Sequence, residues 1–181
     1  LSGMDRLTID TMISYSSSAL KVRTPEYAAE ALGSPLGHGI ADPEGAMAAI
    51  RKAAPELSAL APRTLFVAQA SNYTDSEPLL AAAVDPEADG KVFGVAAAVG
   101  EGSWLSRGGD HEAVVAESVA RELGLRLGDG ILLSARTVYE NDNADEYRVV
   151  GIVGSSASLG GTASVYLSYP DARALLGAEL P

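Results

Sequence analysis

The chain has no cysteine among its 181 residues, which excludes disulfides, thiolate nucleophiles and cysteine-based zinc sites. Histidine is nearly as scarce. His38 and His111 each stand alone in a glycine-rich stretch, without a second ligand at helical or hairpin spacing, and read as surface histidines. Bases are few: 13 Lys and Arg against 24 Asp and Glu leave a formal net charge of −11. That balance argues against a nucleic-acid partner, which needs clustered Lys and Arg, and against adhesion to an anionic membrane surface. The excess charge reads as a solubility device. No run approaches the roughly 18–20 apolar residues of a membrane helix. No leader sequence is visible, and Leu1 rather than Met opens the chain, as expected of an excised fragment. There is no phosphate-binding loop or dinucleotide glycine pattern, so neither nucleotide handling nor a cofactor is expected.

What is present points to a packed domain. Apolar residues make up 47% of the chain and charged residues 20%, a balance that favours a core over disorder. With two Phe and one Trp, that core must be built from Ala, Val and Leu. The length suits one domain, or one domain with two lobes.

The clearest local signals lie in residues 112–153. Val114 and Val115 predict a short apolar strand. Residues 118–123 predict a helix, because Val115, Val119 and Leu123 recur every four residues and put one stripe against a core. Gly124 is placed to end that helix in the left-handed conformation glycine reaches cheaply. Leu125-Arg126-Leu127-Gly128-Asp129-Gly130 predicts a tight turn, with a positive φ or a close backbone approach at Gly128 and local amide bonds to Asp129. Strands follow at 131–138 and 147–153. Between them, Tyr139-Glu140-Asn141-Asp142-Asn143-Ala144-Asp145-Glu146 holds four acids, two Asn and no base. This loop is the candidate site: a docking tip, or a charged turn that keeps the hairpin soluble.

Elsewhere, Met4, Leu7, Met12 and Ile13 space a short amphipathic helix over 3–13. Residues 19–23 alternate as a strand that Pro25 ends, and 33–39 form a loop. Asp42-Pro43-Glu44 is a helix start, with Met47, Ile50 and Ala54 as its apolar face and Pro55 closing it. Strands are predicted at 65–70 and 79–84. Residues 86–95 fit either a helix start or an irregular turn, and 100–110 a glycine-rich loop carrying Trp104. The whole predicts an α+β domain, with a mixed sheet and helices on one face.

Two patterns invite chemistry. Asp85-Pro86-Glu87-Ala88-Asp89-Gly90 mimics a calcium loop, but its twelfth position is Ala96 instead of Glu and Pro86 stiffens its start. Ser103 lies near Asp110 and His111, yet serine beside glycine is ordinary loop composition and no nucleophile elbow is present. Paired acids such as Glu117 with Glu122, or Asp142 with Asp145, read as solvated surface. No metal site and no catalytic residue is expected.

The run VVAESVARELGLRLGDGIL with YRVVGIV, followed by SVYLSYPDARALLG at 164–177, resembles the extracytoplasmic domain of FtsX-like and MacB-like ABC transporter permeases, the lipoprotein-releasing (Lol-type) members included. Gly3-Met4, Ala19-Leu20-Lys21-Val22 before Thr24-Pro25-Glu26-Tyr27, Leu60-Ala61-Pro62-Arg63 and Val84-Asp85-Pro86-Glu87 fit the same order. The resemblance therefore spans nearly the whole chain, and the order of the pieces carries it.

The resemblance implies a MacB-like periplasmic core domain with an α/β porter-like lobe from 17–65 and 110–181. A β-rich Sabre-like lobe would come from 66–109, and a stalk helix in 1–16 would continue a membrane helix. It implies a domain without enzyme activity, held outside the inner membrane by membrane helices beyond both ends. The ATPase would be a separate domain or subunit, with a permease partner subunit beside it and a lipid or lipoprotein as cargo. In Lol-type members a hairpin at this place engages a periplasmic carrier. By resemblance, a carrier or adaptor would meet Tyr139, Glu140, Asn141, Asp142, Asn143, Asp145 and Glu146, although this loop is shorter, acidic and lacks the proline-bearing extension. The rival reading is a free-standing periplasmic binding module for an apolar ligand.

Overall fold

The computed structural model describes residues 20–29, 36–154 and 163–177. The predicted helix at 3–13, the wider stalk at 1–16 and the first part of the 33–39 loop lie outside them.

Three helices begin on one local rule. Helices α1 (Pro25–Ala29), α2 (Pro43–Ala53) and α3 (Pro86–Val92) each open with Pro-Glu behind a capping side chain. Proline loses no bond at a first helical position, because its missing N–H would be unpaired there anyway. The cap takes up the next free amides. Thr24 Oγ1 accepts from the Tyr27 N–H at 3.1 Å, Asp42 Oδ1 from Gly45 at 2.8 Å, and Asp85 Oδ1 from Glu87 and Ala88, both at 2.9 Å. Over its described residues, 20–23, the strand expected at 19–23 is therefore not formed. Residues 20–24 are unpaired with any strand, because Thr24-Pro25 starts a helix and the Thr24 hydroxyl donates to the His38 carbonyl at 2.6 Å. The open choice at 86–95 resolves as a helix start.

Among the described residues, seven strands form one mixed sheet: β1 (Arg63–Ser71), β2 (Ser76–Val84), β3 (Val99–Gly102), β4 (Glu112–Ala116), β5 (Gly130–Arg136), β6 (Asp142–Val153) and β7 (Val165–Ser168). The order is β3-β6-β4-β7-β2-β1-β5, and β5 also pairs with β6. Every strand but β3 therefore belongs to a closed ring. Pairs β2–β7 and β4–β6 are parallel and the others antiparallel. β1, β2 and β3 share this sheet with the four strands that follow residue 110. Helices α4 (Glu117–Glu122) and α5 (Tyr169–Leu176) follow β4 and β7, and short 3-10 turns lie at Leu36–His38 and Ala96–Ala98.

The small residues of the sequence now have a reason. Alternate residues of β2, β4 and β7 face two different cores, so these strands are apolar on both sides. Phe66, Ala81, Ala83, Val115, Leu133, Val165 and Leu167 join the first core with Val119 and Leu123 after it and Leu175 and Leu176 of α5. Ala82, Val84, Val114 and Tyr166 join the second, with Phe93, Val95 and Leu105. Helices were expected on one face only. The segment at α3 packs on the other face, because Asp85 turns the chain into a helix directly behind β2.

Gly124 ends α4 at φ 62°, and the Leu125 N–H returns to the Ala120 carbonyl at 2.8 Å. Gly128 takes φ 88° with open space where a Cβ would go, so its need is conformational and not steric. Asp129 Oδ2 accepts from the Arg126 N–H at 2.8 Å, as the turn predicts. Residues 99–102, expected in part as loop, are a strand because β6 supplies them with a partner.

Two tyrosines with buried hydroxyls, Tyr147 and Tyr169, give the fold an alkaline limit. Burial pushes Tyr169 up to about 12, with the neighbouring Thr64 side chain offsetting only part of the shift. Burial also raises Tyr147, followed by the charges of Asp145 and Asp171. Both native values lie above the ordinary value of 10.0, so unfolding favours loss of the proton. The stability these groups contribute is complete below pH 10 and falls as pH rises toward their native values. Melting temperature, followed with tyrosinate absorbance, should stay level to about pH 10 and then drop. A level profile through pH 12 would contradict the burial of both hydroxyls.

Candidate functional site

The β5–β6 hairpin carries the candidate residues, and its turn is shorter than the sequence suggests. Only residues 137–141 lie outside the strands. Thr137 organises them: its N–H donates to the Asn141 carbonyl at 2.7 Å, and its Oγ1 accepts from Tyr139 and Asn141 at 3.3 and 3.2 Å. Glu140 holds φ 63°, the left-handed position of the turn. Residues 142–146 are strand and not loop, paired in register from Arg136 with Asp142 to Leu132 with Glu146. Paired backbone outweighs the weak strand preference of Asp and Asn.

Alternation then divides the candidates. On one side, Asn143 Nδ2 donates to the Ala174 and Leu175 carbonyls of α5 at 3.2 and 2.9 Å. Asp145 Oδ2 lies 3.2 Å from His111 Nε2, and the His111 ring stacks on Tyr147 with centroids 5.7 Å apart. On the other side, Glu146 lies over Gly130, where a Cβ would overlap its carboxylate. The Glu146 carboxylate also acts on the Tyr73 hydroxyl, raising Tyr73 above its ordinary value. Tyr139, Glu140, Asn141 and Asp142 remain at the exposed end. Tyr139 is 72% exposed, and Glu140 has only a loose 3.7 Å contact with Arg136.

The tip is thus an exposed tyrosine with two acids on a rigid base. Sequence reasoning missed the base. His111 is exposed, as its reading as a surface histidine has it, but it is not alone: it sits at φ 53° with its backbone N–H donating to Asp171 Oδ1 at 3.2 Å. Asp171 in turn is held by the Ser168 hydroxyl at 2.8 Å, a reciprocal cap that Ser168-x-x-Asp171 signals in the sequence. Gly109 at φ 71° packs on Pro170, which closes the 103–111 loop against α5.

The other patterns have structural partners. Asp110 Oδ2 accepts the Ser106 hydroxyl at 3.0 Å, and the Ser103 N–H is tied to the Val150 carbonyl at 2.9 Å. Of the acids at 85–90, Asp85 caps α3, Glu87 meets Lys91 and Arg107 at 2.6 and 2.7 Å, and Asp89 meets Arg63. A cavity of about 270 Å³ lies at the end of α2, lined by Arg51, Pro55, Leu57 and their neighbours. No hairpin residue lines it.

A family model for the MacB-like periplasmic core domain matches residues 3–180. Among solved structures, the chain is similar to the extracellular domain of the noncanonic ABC-type transporter YknZ from Gram-positive bacteria. Identity is 11% and the TM-score 0.50, over 67% of this chain and 60% of that one. It is also similar to a domain described as part of a permease from Porphyromonas gingivalis, at 16% identity and TM-score 0.42, over 60% of this chain and 49% of that one. At 11% identity the likeness to the YknZ domain concerns the fold. No curated protein matches the chain.

Proposed function

The chain belongs to the family of MacB-like periplasmic core domains, and from that premise we propose that it is the extracytoplasmic domain of an ABC transporter permease. The observation that carries this reading is the match over residues 3–180, nearly the whole chain. Membrane segments of the complete polypeptide flank the domain, a partner permease subunit and an ATPase complete the assembly, and the cargo is a lipid, a lipoprotein or another amphiphile. The domain does no chemistry of its own. Its work is mechanical: movement of the membrane segments displaces a packed body, and that body acts on cargo or carrier.

Tyr139, Glu140, Asn141 and Asp142 form the docking tip for a carrier or adaptor with a basic patch. Asn143, Asp145 and Glu146 support the tip through α5, His111 and Tyr73. The test is made in the assembled transporter. Glu140→Gln with Asp142→Asn should leave fold stability within about 0.5 kcal/mol per site, as is usual for exposed positions. Transport should fall through a slower association, and high salt should produce the same loss in the unmodified protein. Transport unaffected by the substitutions at every salt concentration would reduce the tip to a solubility device.

A further inference from the structure

Helix α5 is bonded to the β5–β6 hairpin along its length. At its start, the Tyr147 hydroxyl donates to the Asp171 carbonyl at 3.3 Å. At its end, Asn143 Nδ2 donates to the carbonyls of Ala174 and Leu175, and the Val138 N–H donates to the Leu176 carbonyl at 3.2 Å. These carbonyls belong to the last turn, where a helix has no amides of its own to offer. Gly177 then turns the chain at φ 65°. A Cβ placed on Gly177 would lie 3.6 Å from the Cβ of Thr137, the residue that organises the tip.

Asn143 is the one side chain of the hairpin that reaches two successive carbonyls of the last helical turn. An amide is suited to this place. It supplies donors without a charge, whereas a carboxylate would meet the negative end of the helix. Beyond Asn143 the tip is held by the Arg136–Asp142 rung, the Thr137 turn and the single Val138 bond.

We propose that Asn143 is a positioning residue that joins the docking tip to the end of α5, so that the tip and the chain leaving α5 move as one body. The proposal rests on the permease reading, in which the chain beyond α5 leads toward the membrane. Displacement of that chain is then delivered to the tip directly and not through the sheet.

The chain lacks cysteine, so the joint can be removed and rebuilt by different chemistry. In the 181-residue chain, Asn143→Ala should raise amide exchange at Val138 and at Gly177 together, by roughly tenfold or more, as local opening does. In Asn143→Ala with Thr137→Cys and Gly177→Cys, the Cβ separation suits a disulfide. Oxidation should restore protection at both sites and reduction should remove it again. Comparing the two redox forms cancels the strain of a side chain at Gly177. In the assembled transporter, Asn143→Ala should lower transport and oxidation of the triple variant should recover it. Exchange that does not rise at both sites together overturns the joint and leaves the permease reading standing. Protection regained on oxidation without recovery of transport overturns its role in transmission.

Discussion

Asp89→Ala should destabilise the domain by about 3–5 kcal/mol, the usual cost of breaking a buried ion pair from one side. Asp89 is fully buried, and its carboxylate receives Arg63 Nε at 2.5 Å and Nη2 at 2.8 Å. The guanidinium lies over the Phe93 ring at 3.3 Å, with Tyr166 beyond it at 5.8 Å. Removing the acid takes away the buried carboxylate that the guanidinium bonds twice, and α3 loses its anchor to β1. Burial pushes the Asp89 carboxyl above the usual carboxylate range, with Arg63 counteracting only in part. Taking both charges out of water costs much of what their attraction returns, so such a pair adds little net stability over an apolar replacement. Arg63→Met with Asp89→Leu should accordingly recover most of the loss, since no charge is left behind and Met suits the aromatic surroundings. Denaturant titration of the single and double variants decides the matter. A double variant as unstable as Asp89→Ala would show that the pair itself holds the second core together.

Gly151→Val should cost roughly 3 kcal/mol, the upper part of the range for overpacked positions. A Cβ on Gly151 would overlap the Ser103 carbonyl oxygen, and the Val114 side chain is 3.3 Å away. The chain leaving β3 passes over β6 at that point, held by the Ser103 N–H to the Val150 carbonyl. Gly102 is at φ 78° in the same crossing. The obstacle is backbone, so it cannot move aside as a flexible side chain would. An unchanged chemical midpoint for Gly151→Val would mean that this crossing is looser than described.

Local chemistry was legible wherever the chain decides structure by itself. Gly124, Gly128 and Asp129 do what their turn predicts, and Asp42-Pro43-Glu44 opens a helix. The same reasoning was available at Thr24-Pro25-Glu26, where the alternation of residues 19–23 suggested a strand instead. Pairing was the harder part. Gly100 and Gly102 carry no strand signal, and β3 exists because β6 offers it an edge. Asp142 to Glu146 look like a loop by composition, yet β5 pairs with them and α5, His111 and Tyr73 engage their side chains. For the candidate site, the exposed acids were legible and their division was not. Asn143 and Asp145 face supports 31 and 34 residues away in sequence, Ala174 and His111.

Ring closure decides how two copies of this domain can meet. A strand with a free edge is a template on which another chain can grow by main-chain bonding. Among the described strands, only β3 has a single neighbour, and it is four residues long with Gly100, Glu101 and Gly102 in it. So short an edge, with an acid and two glycines, offers little on which to polymerise. Folded copies crowded at high local density should stay apart as particles, and fibrous assembly would first require one rung of the ring to open.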